Sequence, residues 1–474
     1  MEPTERVAEL FLRLLGGVYL CAFASLAVQI IGLVGASGIA PAGQLLEFVR
    51  DRAGASAPLV LPTLFWVTGA SDWALRAMCG AGAIAAALLV AGRFRSWAAL
   101  AAWLAYLSLV NVGDVFLSFQ WDALLLEAGL VALFAASSEP RLGVWLARAL
   151  LLKLMFMSGA VKLLSGDSTW RDGTALTYHF WTQPLPWEAS FFAAQLPVGV
   201  QKASTAATVA IECLVPWGIL GPRRVRGASA AVLAGLQLLI AGTGNYGFFN
   251  GLTLALCFAA LDDRMLARWI GPAPEHPTPK RVTPWRVAAA LLLLASVGVA
   301  LERLTPRAAF PEPARAALGW LWPLRSVNSY GLFAVMTRER PEIQIEGSSD
   351  GAEWRAYEFR WKPGPLERRP GFAGPHMPRV DWQMWFAALS TCRDEPWFQA
   401  FLVRLLEGSP SVSALLARNP FPDAPPRYLR TPLFRYKFAS FAEWRAGAWW
   451  TREPAGDFCP TVELRDGHLS LAEP

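Results

Sequence analysis

The chain reads as a polytopic α-helical membrane protein of about nine spans, followed by a soluble C-terminal domain of mixed, β-containing structure. Three observations predict this. Of 474 residues, 54% are hydrophobic and only 17% charged, and the mean hydropathy of +0.33 is too high for an ordinary soluble protein of this length. Apolar runs close to membrane length recur up to Leu301. Beyond it charges and prolines multiply, and no later run is long enough to cross a bilayer. The chain therefore divides into a multi-pass domain over residues 1–303 and a soluble domain over residues 304–474. The 22 tryptophans agree, because indole rings favour the headgroup level, where one edge stays dry and the other wet.

The first run, Leu14 to Val34, follows Arg6 and Arg13 and lacks a convincing small-residue cleavage site, so a retained anchor is expected. Further runs cover Trp73 to Ala91, Trp97 to Val115, Trp121 to Ala136, Val144 to Leu164, Ala203 to Leu220, Gly227 to Ala241, Phe248 to Leu261 and Trp285 to Leu301. Several fall short of the roughly 20 residues that a straight helix needs. Basic residues mark alternate connectors: Arg93 and Arg95; Arg141 and Arg148; Arg223, Arg224 and Arg226; then Arg264, Arg268, Lys280 and Arg281. The turns near Gln120 and Gly244-Asn245 carry none, so the third and fourth runs form a pair. With the N-terminus inside, nine spans put the long loop near 165–202 and everything after Arg303 on the non-cytoplasmic face.

In the soluble part, Glu342 to Ile345 and Trp354 to Trp361 are rich in strand formers and flank Gly347–Gly351, which reads as a hairpin loop. From Trp382 to Leu389 and from Trp397 to Leu406 the apolar spacing is helical. The net charge of +6 is spread over short clusters between apolar runs and forms no single basic face, so no nucleic-acid partner is expected; membrane lipids are. Cys21, Cys79, Cys213 and Cys257 sit in apolar runs as small hydrophobes, whereas Cys392 and Cys459 are disulfide candidates if their compartment is oxidising.

The stretch Lys162 to Pro186 carries the densest chemistry, setting Lys162, Asp167, Trp170, Arg171, Asp172, Tyr178, His179 and Gln183 between two apolar segments. Pro184 and Pro186 stop any helix there. Asp167 or Ser168 suits a helix cap near Thr169. His179 suits hydrogen bonding or acid–base work, but a lone histidine cannot build a metal site, and neither a metal nor a cofactor is expected. Asp122 and Glu127 lie in one apolar run about 140° apart on a helix, so they do not form one carboxylate pair. Buried carboxylates need partners, and Lys153 and Lys162 of the fifth run are available. Asn245 and Tyr246, in a glycine turn on the same face, can line a shared cavity. In the soluble part His376, Arg379, Asp381, Trp382 and Trp385 form a further cluster that suits either core packing or client binding. No H-E-x-x-H, P-loop or C-x-x-C occurs, and the absence of C-x-x-C argues against a thioredoxin-type oxidoreductase.

Several strings together resemble the lipase maturation factor family: FQWDALLLEAG from Phe119, GDSTWRDGTALTYHFWTQPLP from Gly166, TGNYGFFNGLTLAL from Thr243, LDD from Leu261, the stretch Arg325 to Gly351, PHMPRVDWQMWFAAL from Pro375, NPFPD from Asn419 and Trp449-Trp450. The resemblance implies a membrane factor that helps exported lipases fold and assemble, in animals in the endoplasmic reticulum membrane with the C-terminal domain in the lumen. The compact chain, rich in Ala and Arg, looks bacterial, which would translate that arrangement into an inner membrane and a periplasmic domain. A similarity in architecture to vitamin K-dependent carboxylase-like membrane proteins keeps a second class open: an enzyme acting on a lipid or an exported protein, with Asp122, Glu127, Lys162, Asp172 and His179 around one pocket. Of the two, the folding factor, which is not itself an enzyme, is the reading preferred.

Overall fold

A computed structural model of the protein describes residues 4–270, 283–306 and 309–472. Lys280 and Arg281, part of the last basic cluster, lie outside them. Each expected apolar run forms a helix: α1 (Glu5–Ala27), α2 (Asp72–Val90), α3 (Arg95–Val112), α4 (Gln120–Ala135) and α5 (Pro140–Leu164). After the short helices α6 (Ala175–Thr182) and α7 (Glu188–Ala194) come α8 (Val198–Leu214, prolonged by a 3-10 turn to Leu220), α9 (Arg223–Thr243), α10 (Phe249–Ala259) and α11 (Pro284–Leu304). Six of these described helices are long and apolar enough to cross a membrane, namely α1, α2, α5, α8 with its extension, α9 and α11. Helices α3, α4 and α10 coincide with expected runs but do not meet that measure. All three are mostly buried: α4 buries Trp121, Asp122, Leu124, Leu125, Leu126 and Glu127.

Helix α5 is the axis of the bundle, packed against α4, α8, α10 and α11. Small residues let neighbours approach closely, as expected where lipid replaces water as the solvent. A Cβ at Gly143 of α5 would lie 2.1 Å from the backbone of Ala135, and one at Gly82 of α2 would lie 2.2 Å from the Phe23 ring of α1. Polar residues gather at the two ends of the bundle. At one end Asp262 holds Arg223 and Arg226 at 2.9 Å each, Glu139 binds Arg286 at 2.7 Å, and Glu9 binds Arg13 and Arg95. The opposite end carries Ser25, Gln29, Phe116, Asp167, Gln183 and Asn245, all of which touch the C-terminal part.

The C-terminal domain contains β1 (Arg340–Ile343), β2 (Glu346–Ser348), β3 (Arg355–Ala356), α12 (Arg379–Ala388), α13 (Pro396–Leu406), β4 (Tyr428–Arg430), β5 (Pro432–Phe438), β6 (Trp450–Asp457), β7 (Val462–Arg465) and β8 (His468–Leu471). Its strands pair antiparallel in two sheets, ordered β1-β5-β6 and β3-β2-β4-β7-β8. Ile343, Phe398, Phe401, Leu402 and Leu429 fill the core between sheets and α13. Both expected helices form; the expected hairpin is shifted. Glu342 and Ile343 pair with Phe434 and Leu433 in the smaller sheet, and the true hairpin joins β2 to β3, with Glu346 opposite Ala356. Alternation identifies a strand but not its partner.

The domain is also less separate than the composition shift at residue 304 suggests. Residues 325–336, ahead of β1, run along the helices: Arg325 Nε donates to Asn111 Oδ1 at 3.0 Å, Trp103 Nε1 to Ser326 Oγ at 3.0 Å, and Tyr330 Oη to Glu127 at 2.6 Å.

Cys392 and Cys459 are joined in a disulfide, while among the described residues the four other cysteines are free. The crosslink closes a sequence separation of 67, for which chain entropy sets a stabilisation of about 4 kcal/mol. Replacing both cysteines by serine is expected to lower the melting temperature of the C-terminal domain by several degrees without altering α1 to α11, which thermal unfolding with domain-specific proteolysis measures.

Candidate functional site

Three buried polar centres lie in the half of the bundle toward the C-terminal part or at its middle, and each is assembled from residues far apart in sequence. In the first, Asp122 near the start of α4 accepts from both Nη atoms of Arg379 at 2.5 and 2.8 Å, and from Tyr106 Oη at 2.5 Å. Arg379 also donates to the Phe116 carbonyl at 3.0 Å. Both charged side chains are fully buried. Such burial is tolerable only because the fork of the guanidinium matches the carboxylate and the remaining lone pairs are used. Around this pair Gln29 accepts from the Arg379 N–H at 3.0 Å and donates to the Met377 carbonyl at 2.8 Å, Ser25 Oγ meets His376 Nδ1 at 2.9 Å, and Trp382 packs on Trp121 with ring centroids 4.6 Å apart.

This corrects the reading of His376, Arg379, Asp381, Trp382 and Trp385 as a client-binding surface. Arg379, Asp381, Trp382 and Trp385 are buried, and His376 is partly buried. Trp385 Nε1 donates to the Thr182 carbonyl at 2.8 Å. Asp381 accepts the N–H groups of Trp361 and Lys362 at 2.8 and 2.9 Å; burial pushes its carboxyl up, against the pull of those N–H groups. Burial, then the positive charges of Arg379 and Arg360, hold His376 below the ordinary histidine value. The cluster joins the C-terminal domain to the helices.

The second centre pairs Glu127 of α4 with Lys153 of α5 at 2.5 Å, as the sequence allowed. Ser296 of α11 donates toward the same carboxylate and accepts from Lys153 at 2.6 Å, and Tyr330 and the Asn328 N–H complete the acceptor shell. Lys162, the other expected partner, belongs elsewhere. Its Nζ lies 2.6 Å from Glu212, an acid inside α8 that the sequence reading passed over, although an ionisable residue within a span is a signal in itself.

That ion pair opens onto the third centre, a cavity of about 350 Å³ between α5, α8 and α9, roofed by α6 and by Phe333. Lys162, Trp170 and His179 line it, with Gln237, Thr243 and Tyr246. Gln183 lies behind the wall: its amide donates to the Thr243 carbonyl at 2.7 Å and to Ser190 Oγ, and its Oε1 accepts from Tyr246 Oη at 2.9 Å. With its own proton given to Gln183, Tyr246 accepts from Nε2 of His179 at 3.0 Å, leaving Nδ1 as the unprotonated nitrogen. Burial, then the neighbouring charge of Lys162, pushes His179 down to about 4, so the ring is neutral near pH 7. The ring meets Phe333 edge-on at 4.8 Å.

Other loop residues take structural places. Asp167 caps the turn Ser168–Arg171 through the Thr169 N–H at 2.9 Å and accepts from the Met336 N–H at 2.6 Å. Against burial, these N–H groups and Arg338 keep its carboxyl below the usual range. Trp170 Nε1 donates to the Phe333 carbonyl at 3.1 Å, and Tyr178 packs beside Trp170 and Met336. Asn245 holds the Gly371 carbonyl and the Ala373 N–H at 2.9 and 2.8 Å. Arg171 and Asp172 are exposed. The single pocket envisaged around Asp122, Glu127, Lys162, Asp172 and His179 is therefore not formed: of the five only Lys162 and His179 share a cavity. The string Gly347–Gly351 fits G-x-S-x-G, but it turns the β2–β3 hairpin, where Ser348 Oγ accepts the Gly351 N–H at 2.9 Å; a nucleophile elbow requires a strand-to-helix turn.

A charge left alone in the first centre costs far more than the pair gains, typically about 3–5 kcal/mol. Arg379→Leu and Asp122→Leu are each expected to strip the C-terminal domain from the helices and raise its protease sensitivity. The double variant is expected to recover most of the lost melting temperature; equal losses in single and double variants would sink this account.

Comparison with known proteins bears on the whole chain. Residues 6–268 match the lipase maturation factor transmembrane domain, and residues 326–460 match the lipase maturation factor C-terminal domain. The chain is 35% identical to lipase maturation factor 2 of Gallus gallus over 99% of its own length and 83% of the relative's. It is 35% identical to the Homo sapiens protein of the same name, over 97% and 83%, and 31% identical to lipase maturation factor 1 of Bos taurus, over 96% and 88%. No solved structure matches. With both domains matched in order and this chain aligned over almost its whole length, this multi-pass membrane protein belongs to the lipase maturation factor family.

Proposed function

We propose that this protein is a membrane-anchored factor that assists folding or maturation of exported lipases, and that it presents its C-terminal domain on the non-cytoplasmic side. Full-length similarity to lipase maturation factors is the observation that carries the reading. Nine spans with the N-terminus inside would bring the long loop and the C-terminal domain to the same outer face, and the contacts support this. All the loop and helix-end residues that hold the domain come from the end of the bundle opposite Arg223, Arg226 and Arg95. The disulfide between Cys392 and Cys459 fits an oxidising compartment. In a bacterium this would be the periplasm; the relatives found are animal proteins and lend the bacterial origin no support.

A docked domain suits a holdase-like role. Fixed at three buried centres, it gives a rigid platform at the membrane surface, and exposed Trp320 and Trp322 lie where the last span meets it, at the level that tryptophans favour. The client would then bind surfaces other than the α12 cluster. The alternative of a membrane enzyme draws only on the Lys162–His179 cavity.

The direct test is co-expression with an exported dimeric lipase in cells lacking their own factor. Active lipase per unit of lipase antigen is expected to rise several-fold with the wild-type chain and to stay at background with Arg379→Leu; no rise with the wild type would refute the reading. Topology is checked separately with single cysteines on a background whose free cysteines are replaced. An impermeant maleimide applied to intact cells, or to the lumenal side of sealed vesicles, is expected to label Glu353→Cys and to spare Arg224→Cys, both at exposed positions.

A further inference from the structure

The cavity beside Lys162 has the shape and chemistry of a site for one lipid chain. Its volume of about 350 Å³ falls within the range of small-molecule sites, and most of its lining is apolar, with few polar groups. Most of the polar groups are gathered at one end; Gln237 lies deeper, where its side chain is already engaged by Met155 and Asn250. On α5 the lining runs from Leu154 to Lys162, about 12 Å of helix axis at 1.5 Å per residue. Lys162, His179, Thr243 and Tyr246 lie at the end nearest the C-terminal domain, while Leu154, Ile211 and Leu236 lie deeper.

The cavity also has a mouth. Three of its lining residues are exposed: Leu196 in the loop ahead of α8, Ala207 on α8 and Leu239 on α9, the last two on helices long and apolar enough to cross a membrane. What Ala207 and Leu239 face in a bilayer is acyl chain, so the opening between α8 and α9 admits ligand sideways from the lipid. At the polar end one hydrogen-bond donor is left over among the described residues. The Lys162 ammonium has three N–H groups; Glu212 at 2.6 Å and the Ser158 carbonyl at 3.2 Å take two, and the Trp170 ring lies 5.2 Å from the nitrogen.

We infer that this cavity binds a single acyl chain of an outer-leaflet phospholipid, entering between α8 and α9, with an ester carbonyl held at the Lys162 end. Glu212 balances the lysine charge, so the site selects the neutral ester region and not an anionic headgroup. The occupant wedges α8 and α9 against the α6 roof and Phe333, and thereby ties the long outer loop to the state of the membrane. The inference rests on the membrane-spanning reading of α8 and α9 and not on the lipase-maturation role, so the two fail independently.

The test uses the full chain in nanodiscs of phosphatidylcholine doped with a phosphatidylcholine that carries a diazirine near the end of one acyl chain. After irradiation, adducts are located by peptide mass spectrometry. Adducts are expected on Leu154, Leu236 or Phe249, buried lining residues that annular lipid does not reach, besides those on lipid-facing Leu214 and Leu238. Ala207→Trp, which fills the mouth, is expected to lower the buried adducts at least five-fold and leave Leu214 and Leu238 unchanged; Leu239→Trp repeats the test from the other wall. Adducts confined to Leu214 and Leu238, or buried adducts indifferent to both variants, would overturn the site. Should either variant fail to reach the membrane, the wild-type distribution between buried and lipid-facing positions still decides.

Discussion

A carboxylate and a guanidinium that are fully buried together set the terms for the rest of this molecule. Asp122 lies near the start of α4 and Arg379 opens α12, 257 positions later, and neither can be buried without the other. Their meeting brings the start of α4, the outer end of α1 and the first turn of α12 into one packed layer, in which Tyr106 and the Phe116 carbonyl bond the pair and Gln29 and Ser25 bond the backbone N–H groups of Arg379 and Met377. Dispersion and aromatic packing between Trp121, Phe119 and Trp382 then exclude water from it. The geometry is more specific than apolar contact alone, because a bidentate pair tolerates little sliding.

The other centres extend that layer. Glu127 gathers Lys153, Ser296, Asn328 and Tyr330, and so ties α4, α5 and α11 to the segment leading into the domain. Asp167 and Asn245 clip the long outer loop and the glycine turn to residues 336 and 371–373. Arg340 reaches the carbonyls of Trp181, Gln183 and Pro184, while Glu342 balances its charge at 2.7 Å and that of Lys362 at 2.8 Å. The loop from Lys162 to Pro186 is dense in polar and aromatic residues because it serves two sides at once, walling a cavity below and receiving a domain above.

Much of this was legible in the sequence, and the boundary of legibility has a physical reason. Local chemistry was readable: the apolar runs became helices, Asp167 became a cap, Lys153 found Glu127 one helix away, and Cys392 and Cys459 are bonded. Long-range choices were not. Lysines of the fifth run were the expected partners for Asp122, yet it pairs with an arginine from the other domain, and Lys162 pairs with Glu212. Periodicity tells which face of a helix is dry but not which charge will meet it. The same blindness made Trp382 and Trp385 as good a client surface as an interface, since an aromatic pair at helical spacing suits either.

The thread of residues 325–336 carries a consequence for how the molecule comes to exist. The helices that hold Asp122 and Glu127 are synthesised long before Tyr330 and Arg379, which complete their shells. Until those later residues are delivered, the outer ends of α1 and α4 lack Arg379 and the first turn of α12, which pack on them. The membrane half therefore cannot close before the C-terminal half arrives. A truncated chain lacking α12 would leave Asp122, at the outer end of α4, without its guanidinium partner.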